Sequence, residues 1–381
     1  MQSTQQLLRQ FSTRESMVNA LAEYIPPPFG ESIFPDPVRF PLPDEPYVTS
    51  WEAYVDYAAE SSVFEVLREH LVQFRFPIQA GISQTESYRN ACLKGRSTVG
   101  MASATGLALE APDSLHLSIY QSVAGKIPVL QVSEPEDFCR IIQALSFKNE
   151  PAKIPSSMGA AMITGINNWD RMHRIQANWK AQYPNGNWLQ YFRQKVLPHR
   201  ALYQDKLIIL SEKAYSNVPA ERIGLKTAEW LQHSSLIRLE HECTHFFTLR
   251  YFGSMANNMY DELLADYMGI SKVYGHFRSD WFLQFIGLEN YPAYRSGGRM
   301  ENYLGRPPLS PDAFRLLQEV VYHAAQNITR FEQMLPPVQT LSNRSQRLLT
   351  LCRLSLVEIA ARNGPDRLMD TFQALATNQS K

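Results

Sequence analysis

The chain has 381 residues with 37 basic and 37 acidic side chains, 44% hydrophobic and 19% charged, an ordinary globular composition at a length that allows one large domain or two to three small ones. No overall basic excess exists to drive sequence-independent nucleic-acid binding, and no run of about 18 apolar residues exists to span a bilayer. Cys92, Cys139, Cys243 and Cys352 are scattered with no CxxC pair, so they read as reduced thiols, and the expected location is cytoplasmic.

Neutrality averages unequal parts. Residues 1–65 hold ten acids and three bases, whereas residues 151–200 hold seven bases and one acid, Asp170. Docking of the first segment on the second is the expected reading; a basic surface for an anionic partner is the alternative.

The N-terminus reads as an amphipathic helix with Leu7, Leu8, Phe11, Val18 and Leu21 on its apolar side, and not as a signal peptide. Eight of the 24 prolines then fall between Pro26 and Pro46. Proline lacks an N–H and fixes φ, so this stretch is extended. Its interleaved Ile33, Phe34, Val38 and Phe40 suggest packing along a surface, with a polyproline ligand for a partner as the sharper alternative. Thr49 and Glu52 form a T-x-x-E capping box, which opens a helix to about residue 73.

LHLSIYQ (115–121) and KIPVLQV (126–132) flank a short Ala-Gly turn and predict a β-hairpin. A helix is expected at about 135–147, then loop over 151–185 with one strand at AAMITG, then a strand KLIILS (206–211). Helices follow at about 226–252, 259–274, 311–333, 343–363 and 366–376. The fold class is α+β: a small mixed or antiparallel sheet in mid-chain, a long motif-bearing helix and a mainly helical C-terminal half. The expected division is 1–50, an N-terminal helix and proline-rich packed extension; 51–200, an α+β region; and 201–381, the core that carries the motif with a helical C-terminal subdomain, the alternative being one compact unit of the last two.

Residues 241–245 read His241-Glu242-Cys243-Thr244-His245, an H-E-x-x-H; at this composition chance supplies the pattern about once in 80 chains. At about 100° per residue the two histidines lie about 40° apart around the helix axis and one turn along it, so both can meet one Zn²⁺. Glu242 flanks that face, within reach of a metal-bound water, while Cys243 points away and reads as a packed thiol. The extension H-x-x-G-x-x-H fails, with Thr248 and Tyr251 in its glycine and second histidine positions.

The next acids are Asp261, Glu262 and Asp266. Asn257 or Asn258 can cap a second helix, with Glu262 in its first turn and Asp266 one turn on along the same face. That arrangement suits Glu262 as a ligand and Asp266 as the group that orients a ligand histidine.

Over about residues 206–275 the sequence resembles the gluzincin class of zinc metallopeptidases, which share H-E-x-x-H followed by E-x-x-x-D on a second helix. The resemblance implies a zincin-like core with one zinc ion held by His241, His245 and Glu262, Glu242 as general base and Asp266 behind a ligand. Sixteen residues separate His245 from Glu262, fewer than in thermolysin-like members, and Asp261 or Asp266 are the alternative ligands. By the same resemblance KLIILS is an edge strand for an extended peptide, and an oxyanion-stabilising residue comes from His276, Arg299 or Tyr303, of which Arg299 and Tyr303 are preferred beside the Gly297-Gly298 pair.

Arg238 reads either as a steering charge for substrate or as an ion-pair partner of Glu240, Glu242 or Asp266. Trp281, Phe282, Phe285, Tyr291 and Tyr294 read as core. The expected function is zinc-dependent hydrolysis of a peptide or protein, with no nucleic-acid or membrane partner. The alternatives are a catalytically silent scaffold of the same shape and a metal hydrolase of a non-peptide substrate.

Overall fold

A computed structural model describes residues 3–35, 37–255, 258–338 and 340–379. The chain divides into a sheet unit, Pro43–Gln121 with Gly125–Glu212, and a helical unit, Met1–Leu42 with Ser122–Ala124 and Lys213–Lys381. The α+β class is as expected. The division is not the expected 1–50, 51–200 and 201–381, because the first 42 residues join the C-terminal part.

Four strands form the sheet: β1 (His116–Ser122), β2 (Gly125–Val132), β3 (Ala160–Asn167) and β4 (Gln204–Ser211). Their order is β1-β2-β4-β3. The hairpin supplies β1 and β2; β4 then lies parallel to β2, with Val129 opposite Ile208, and antiparallel to β3, with Ile163 opposite Leu207. KLIILS therefore occupies an interior position with both edges already paired. The expectation that it offers a free edge to a peptide is corrected: its apolar run reflects burial within the sheet. A register shift between Thr164 and Ile166 falls at Gly165, whose φ of +77° suits glycine.

The helix Pro135–Ser146 buries Phe138, Ile141 and Ile142 at helical spacing in a core with Trp51, Leu67, Phe74, Leu130 and Ile209. Thr49 and Glu52 do not form the expected capping box. The helix Val48–Glu60 begins one residue before Thr49 and has no side-chain cap, and Glu52 instead accepts from Lys126 Nζ at 2.6 Å. A second helix, Val63–His70, starts at Ser62, whose side chain accepts from the Glu65 N–H. The expected loop after β3 contains a helix, Trp169–Gln182, capped by Asn168 through the Arg171 N–H.

Within this unit Asp44, Glu45 and Glu52 pair outside the basic segment. Asp44 and Glu52 meet Lys126, and Glu45 meets Lys206, whereas Arg171 meets Asp205 and Arg174 meets Asp170.

In the helical unit the N-terminal helix is two helices, Thr4–Leu8 and Glu15–Tyr24, which bury Leu7, Leu8, Val18 and Leu21. The proline-rich stretch packs on the C-terminal end of a 26-residue helix, Thr227–Phe252 (the motif helix). Phe29 stacks on Phe252 at 4.8 Å between ring centroids, Phe40 meets Phe247 and Tyr251, and the Ile33 N–H donates to Tyr251 O. These contacts explain why the N-terminal 42 residues belong to this unit.

Met259–Tyr274 (the return helix), Ser279–Ile286, Pro311–Gln333, Leu341–Cys352, Leu356–Ala360 and Gly364–Gln379 complete it. The helix expected over 343–363 breaks at 353–355, where Ser355 and Glu358 make a reciprocal capping box. Buried pairs Glu240–Arg344 and Glu332–Arg347 tie the helices together.

Candidate metal centre

The motif helix closes at Gly253 in the left-handed conformation (φ 69°). The return helix opens at Asn258, whose side chain accepts from the N–H groups of Tyr260 and Asp261; the alternative cap, Asn257, lies outside the described residues. A Cβ on Gly269 would sit 2.7 Å from Ile237 O, so only glycine allows the two helices to approach this closely. Ile237 faces Gly269, His241 faces Asp266 and His245 faces Glu262. The pairs run in opposite order along the chain, so the helices are antiparallel.

This arrangement brings His241, His245 and Glu262 together. Their ligand atoms lie within 4.8 Å of one another: 3.1 Å between the two Nε2 atoms, and 3.6 Å from each Nε2 to a Glu262 carboxylate oxygen. Donors about 2.0–2.1 Å from a shared tetrahedral centre stand about 3.4 Å apart. The two nitrogens and the carboxylate fit that spacing, and the group can hold a metal ion. His241 and Glu262 are buried and His245 nearly so. Asp261 and Asp266, the alternative ligands, are not members of the group. Cys243 is buried too, its thiol pushed well up by burial and hydrogen-bonded to Ser122, as expected of a packed cysteine.

Charge is arranged to favour a cation. Burial works to raise the Glu262 carboxyl, but His241, His245 and Arg299 outweigh it and hold it well below the usual range. Burial likewise works to lower His245, yet the adjoining Glu262 carboxylate and the charges of Glu242 and Asp261 raise it to about 9.

Behind His241, the Nδ1 atom lies 3.0 Å from Asp266 Oδ1, the contact that the second-helix aspartate would need to orient that imidazole. Arg299 also meets Asp266, at the other oxygen, and its Nη1 donates to the Tyr215 hydroxyl at 2.9 Å and to Ser216 Oγ at 3.1 Å. Its terminal nitrogens are thereby committed to the back of the site. Arg299 is in the site as expected, but it positions Asp266 where an oxyanion donor was expected. Tyr303 lies beside Glu262. Burial and the Glu262 carboxylate, with which it hydrogen-bonds, push its phenol far up, and its backbone carbonyl accepts from Tyr24 OH at 2.5 Å. His276 lines a separate cavity with Glu332 and Thr329 and takes no part.

Glu242 is half-buried on the same helix. Arg238, one turn before His241, is lowered by burial to about 10, against the opposing charges of Tyr215 and Glu242. It donates to the carbonyls of Lys213 and Ala214. Trp281, Phe282 and Phe285 are core, as read, whereas Tyr291 and Tyr294 are only half-buried.

Tyr215 went unnoticed in the sequence. Its hydroxyl lies 2.8 Å from His241 Nδ1 and 2.5 Å from Asp266 Oδ1, although it precedes His241 by 26 residues in the chain. No spacing rule connects a turn tyrosine to a distant helix; only the tertiary fold does. Beside Tyr303, a cavity of about 830 Å³ is lined by Ala20, Glu23 and Tyr24 of the Glu15–Tyr24 helix, Asn258 and Arg306 among others.

Fold and site together define an α+β protein with a buried His–His–Glu group able to hold a metal ion. A family model described as a family of unknown function (DUF7005) matches residues 6–363, and the chain belongs to that family. No curated protein and no solved structure matches the chain.

Proposed function

We propose that this protein is a zinc-dependent hydrolase, in its simplest form a peptidase, with a gluzincin-type, zincin-like pair of helices at its active site. The observation that carries the reading is the convergence of His241, His245 and Glu262 at ligand spacing with Glu242 beside them on the motif helix. Two imidazoles and one carboxylate are a donor set suited to catalytic zinc, with one coordination position left open. A purely structural site would call for a fourth protein ligand, and among the described residues the group has three.

When bound, zinc acidifies a water molecule and polarises the substrate carbonyl. Glu242 takes the proton of the attacking water and delivers it to the leaving amine. Tyr303, at the wall of the cavity and in contact with Glu262, offers its hydroxyl to the charge developing on the carbonyl oxygen. The cavity beside it suits a peptide or a segment of a protein. A cytoplasmic setting belongs to the same reading and agrees with four free cysteines; among the described residues no helix is long and apolar enough to cross a membrane.

Two measurements test the proposal. Purified protein should hold close to one zinc per chain, lost in His241→Ala. Digestion of a peptide library should fall by about 10²- to 10⁴-fold in Glu242→Gln while zinc content stays unchanged. Equal product from both proteins would remove Glu242 as the base, and a wild type without zinc would remove the reading altogether.

A further inference from the structure

The residues behind His241 form a closed hydrogen-bonded ring. Asp266, ion-paired with Arg299, is an acceptor at both oxygens. Its Oδ1 takes the hydroxyl proton of Tyr215 at 2.5 Å and lies 3.0 Å from His241 Nδ1. The Tyr215 oxygen is left as an acceptor, for Arg299 Nη1 at 2.9 Å and, at 2.8 Å, for His241 Nδ1. With its one proton given to Asp266, Tyr215 cannot also donate to the ring, so Nδ1 of His241 must carry the hydrogen. The lone pair is then on Nε2, the atom that faces His245 and Glu262.

Tyr215 is itself held from several sides. Its backbone N–H donates to Ser234 Oγ at 2.9 Å, on the motif helix two turns before His241. Its ring meets Phe285 edge-on at 4.8 Å and lies under the guanidinium groups of Arg238 and Arg299, at 5.7 and 5.3 Å. The next two residues, Ser216 and Asn217, both take positive φ, 51° and 54°. That conformation is uncommon for serine and costs energy unless the surroundings impose it; here it accompanies a Ser216 Oγ that accepts from Arg299 at 3.1 Å.

We propose that Tyr215 is a positioning residue of the metal centre: with Arg299 it turns the Asp266–His241 contact into a fixed, charge-compensated clamp that sets the orientation and tautomer of a ligand histidine. The inference rests on the metal-binding part of the reading above. An aspartate alone could turn about its Cβ and let the imidazole rotate with it. Three donors on its two oxygens prevent that, and the Arg299 charge balances that of Asp266. Partners hydrogen-bonded to a ligand imidazole in this way typically change metal affinity by about 10- to 100-fold.

The test compares wild type, Tyr215→Phe, Asp266→Asn and the double variant by competition of zinc with a chromophoric chelator and by the visible spectrum of the cobalt-substituted proteins. Tyr215→Phe keeps the ring and should bind zinc about 10- to 100-fold more weakly, with an altered cobalt spectrum. Because the hydroxyl acts through Asp266 and His241, the double variant should bind about as weakly as Asp266→Asn alone. Zinc binding within about twofold of wild type in Tyr215→Phe, or losses that multiply in the double variant, would overturn the assignment while leaving the metal site standing. Absence of zinc from the wild type would instead overturn the reading on which it rests. Imidazole ¹⁵N NMR of the wild-type protein gives a readout independent of any variant: His241 should carry its hydrogen on Nδ1, and the opposite tautomer would refute the clamp.

Discussion

Each unit buries a carboxylate among partners, yet the two arrangements serve opposite ends. In the sheet unit Asp205 is fully buried and meets the Trp51 indole N–H at 2.9 Å, the Asn168 amide at 2.7 Å and the Arg171 guanidinium at 2.5 Å. Three donors at bonding distance leave nothing for an ion to satisfy. In the helical unit Glu262 is almost as buried, but its oxygens stand 3.6 Å from two imidazole nitrogens, longer than a hydrogen bond. The same nitrogens face each other at 3.1 Å. Both carboxylates lie in ionic networks, so burial and charge alone do not distinguish a structural group from a ligand. The difference is that Asp205 is saturated by three donors at bonding distance, whereas Glu262 stands with two imidazole nitrogens at a spacing that could hold a metal ion.

The contrast predicts a crossed pair of outcomes. Asp205→Ala strands the Arg171 charge and should cost about 3–5 kcal/mol of stability, read by urea unfolding, while zinc affinity stays that of the wild type. Glu262→Ala should weaken zinc binding by at least about 100-fold, with a far smaller loss of stability in the metal-free protein. A zinc affinity that moved with Asp205, or one indifferent to Glu262, would break the comparison. Gly269→Ala falls between the two: its Cβ meets the Ile237 carbonyl and should cost about 1–3 kcal/mol. Because the clash separates the helices that carry His241 and Glu262, zinc should bind more weakly as well. Unchanged affinity in a destabilised Gly269→Ala protein would mean that the metal site tolerates helix separation.

What the sequence made legible follows the range of the interactions. His241 and His245 share one helix, and Glu262 and Asp266 another, so helical spacing and the Asn258 cap place all four. The hairpin and the helix Pro135–Ser146 were equally local. Tyr215 and the true partners of Arg299 were not legible, because a turn, a helix and a loop meet there only after folding. The interior place of KLIILS was hidden for the same reason: an edge strand and a central strand of six residues look alike until their neighbours are known. Thr49 and Glu52 show the reverse failure, a sound local signal overridden when Glu52 found Lys126. The packing foreseen for the proline-rich stretch holds for Phe34 and Phe40 but not for the Ile33 side chain, which is exposed, and its aromatic residues did not disclose that Tyr251 and Phe252 were their targets.

The smallest effect concerns pH and belongs to the sheet unit. Asp170 accepts from Tyr54 OH at 2.9 Å and pairs with Arg174 at 2.9 Å and His70 at 3.4 Å. Burial works to raise its carboxyl, but His70, Tyr54 and Arg174 together lower it below the ordinary value of 3.8. A carboxyl lowered on folding stabilises the native state above its unfolded pKa and loses that contribution as the pH falls through its folded one. Stability of wild type over Asp170→Asn should therefore be constant from about pH 5 to 7 and shrink below about pH 4. The difference should stay under about 1 kcal/mol, since Asp170 and Arg174 are partly exposed and screened by solvent. Urea unfolding of both proteins across that range measures it, and a difference that grew on acidification would mean that burial, and not its partners, governs Asp170. Added zinc should not alter the slope, because these contacts lie within the sheet unit and the proposed ligands within the helical one.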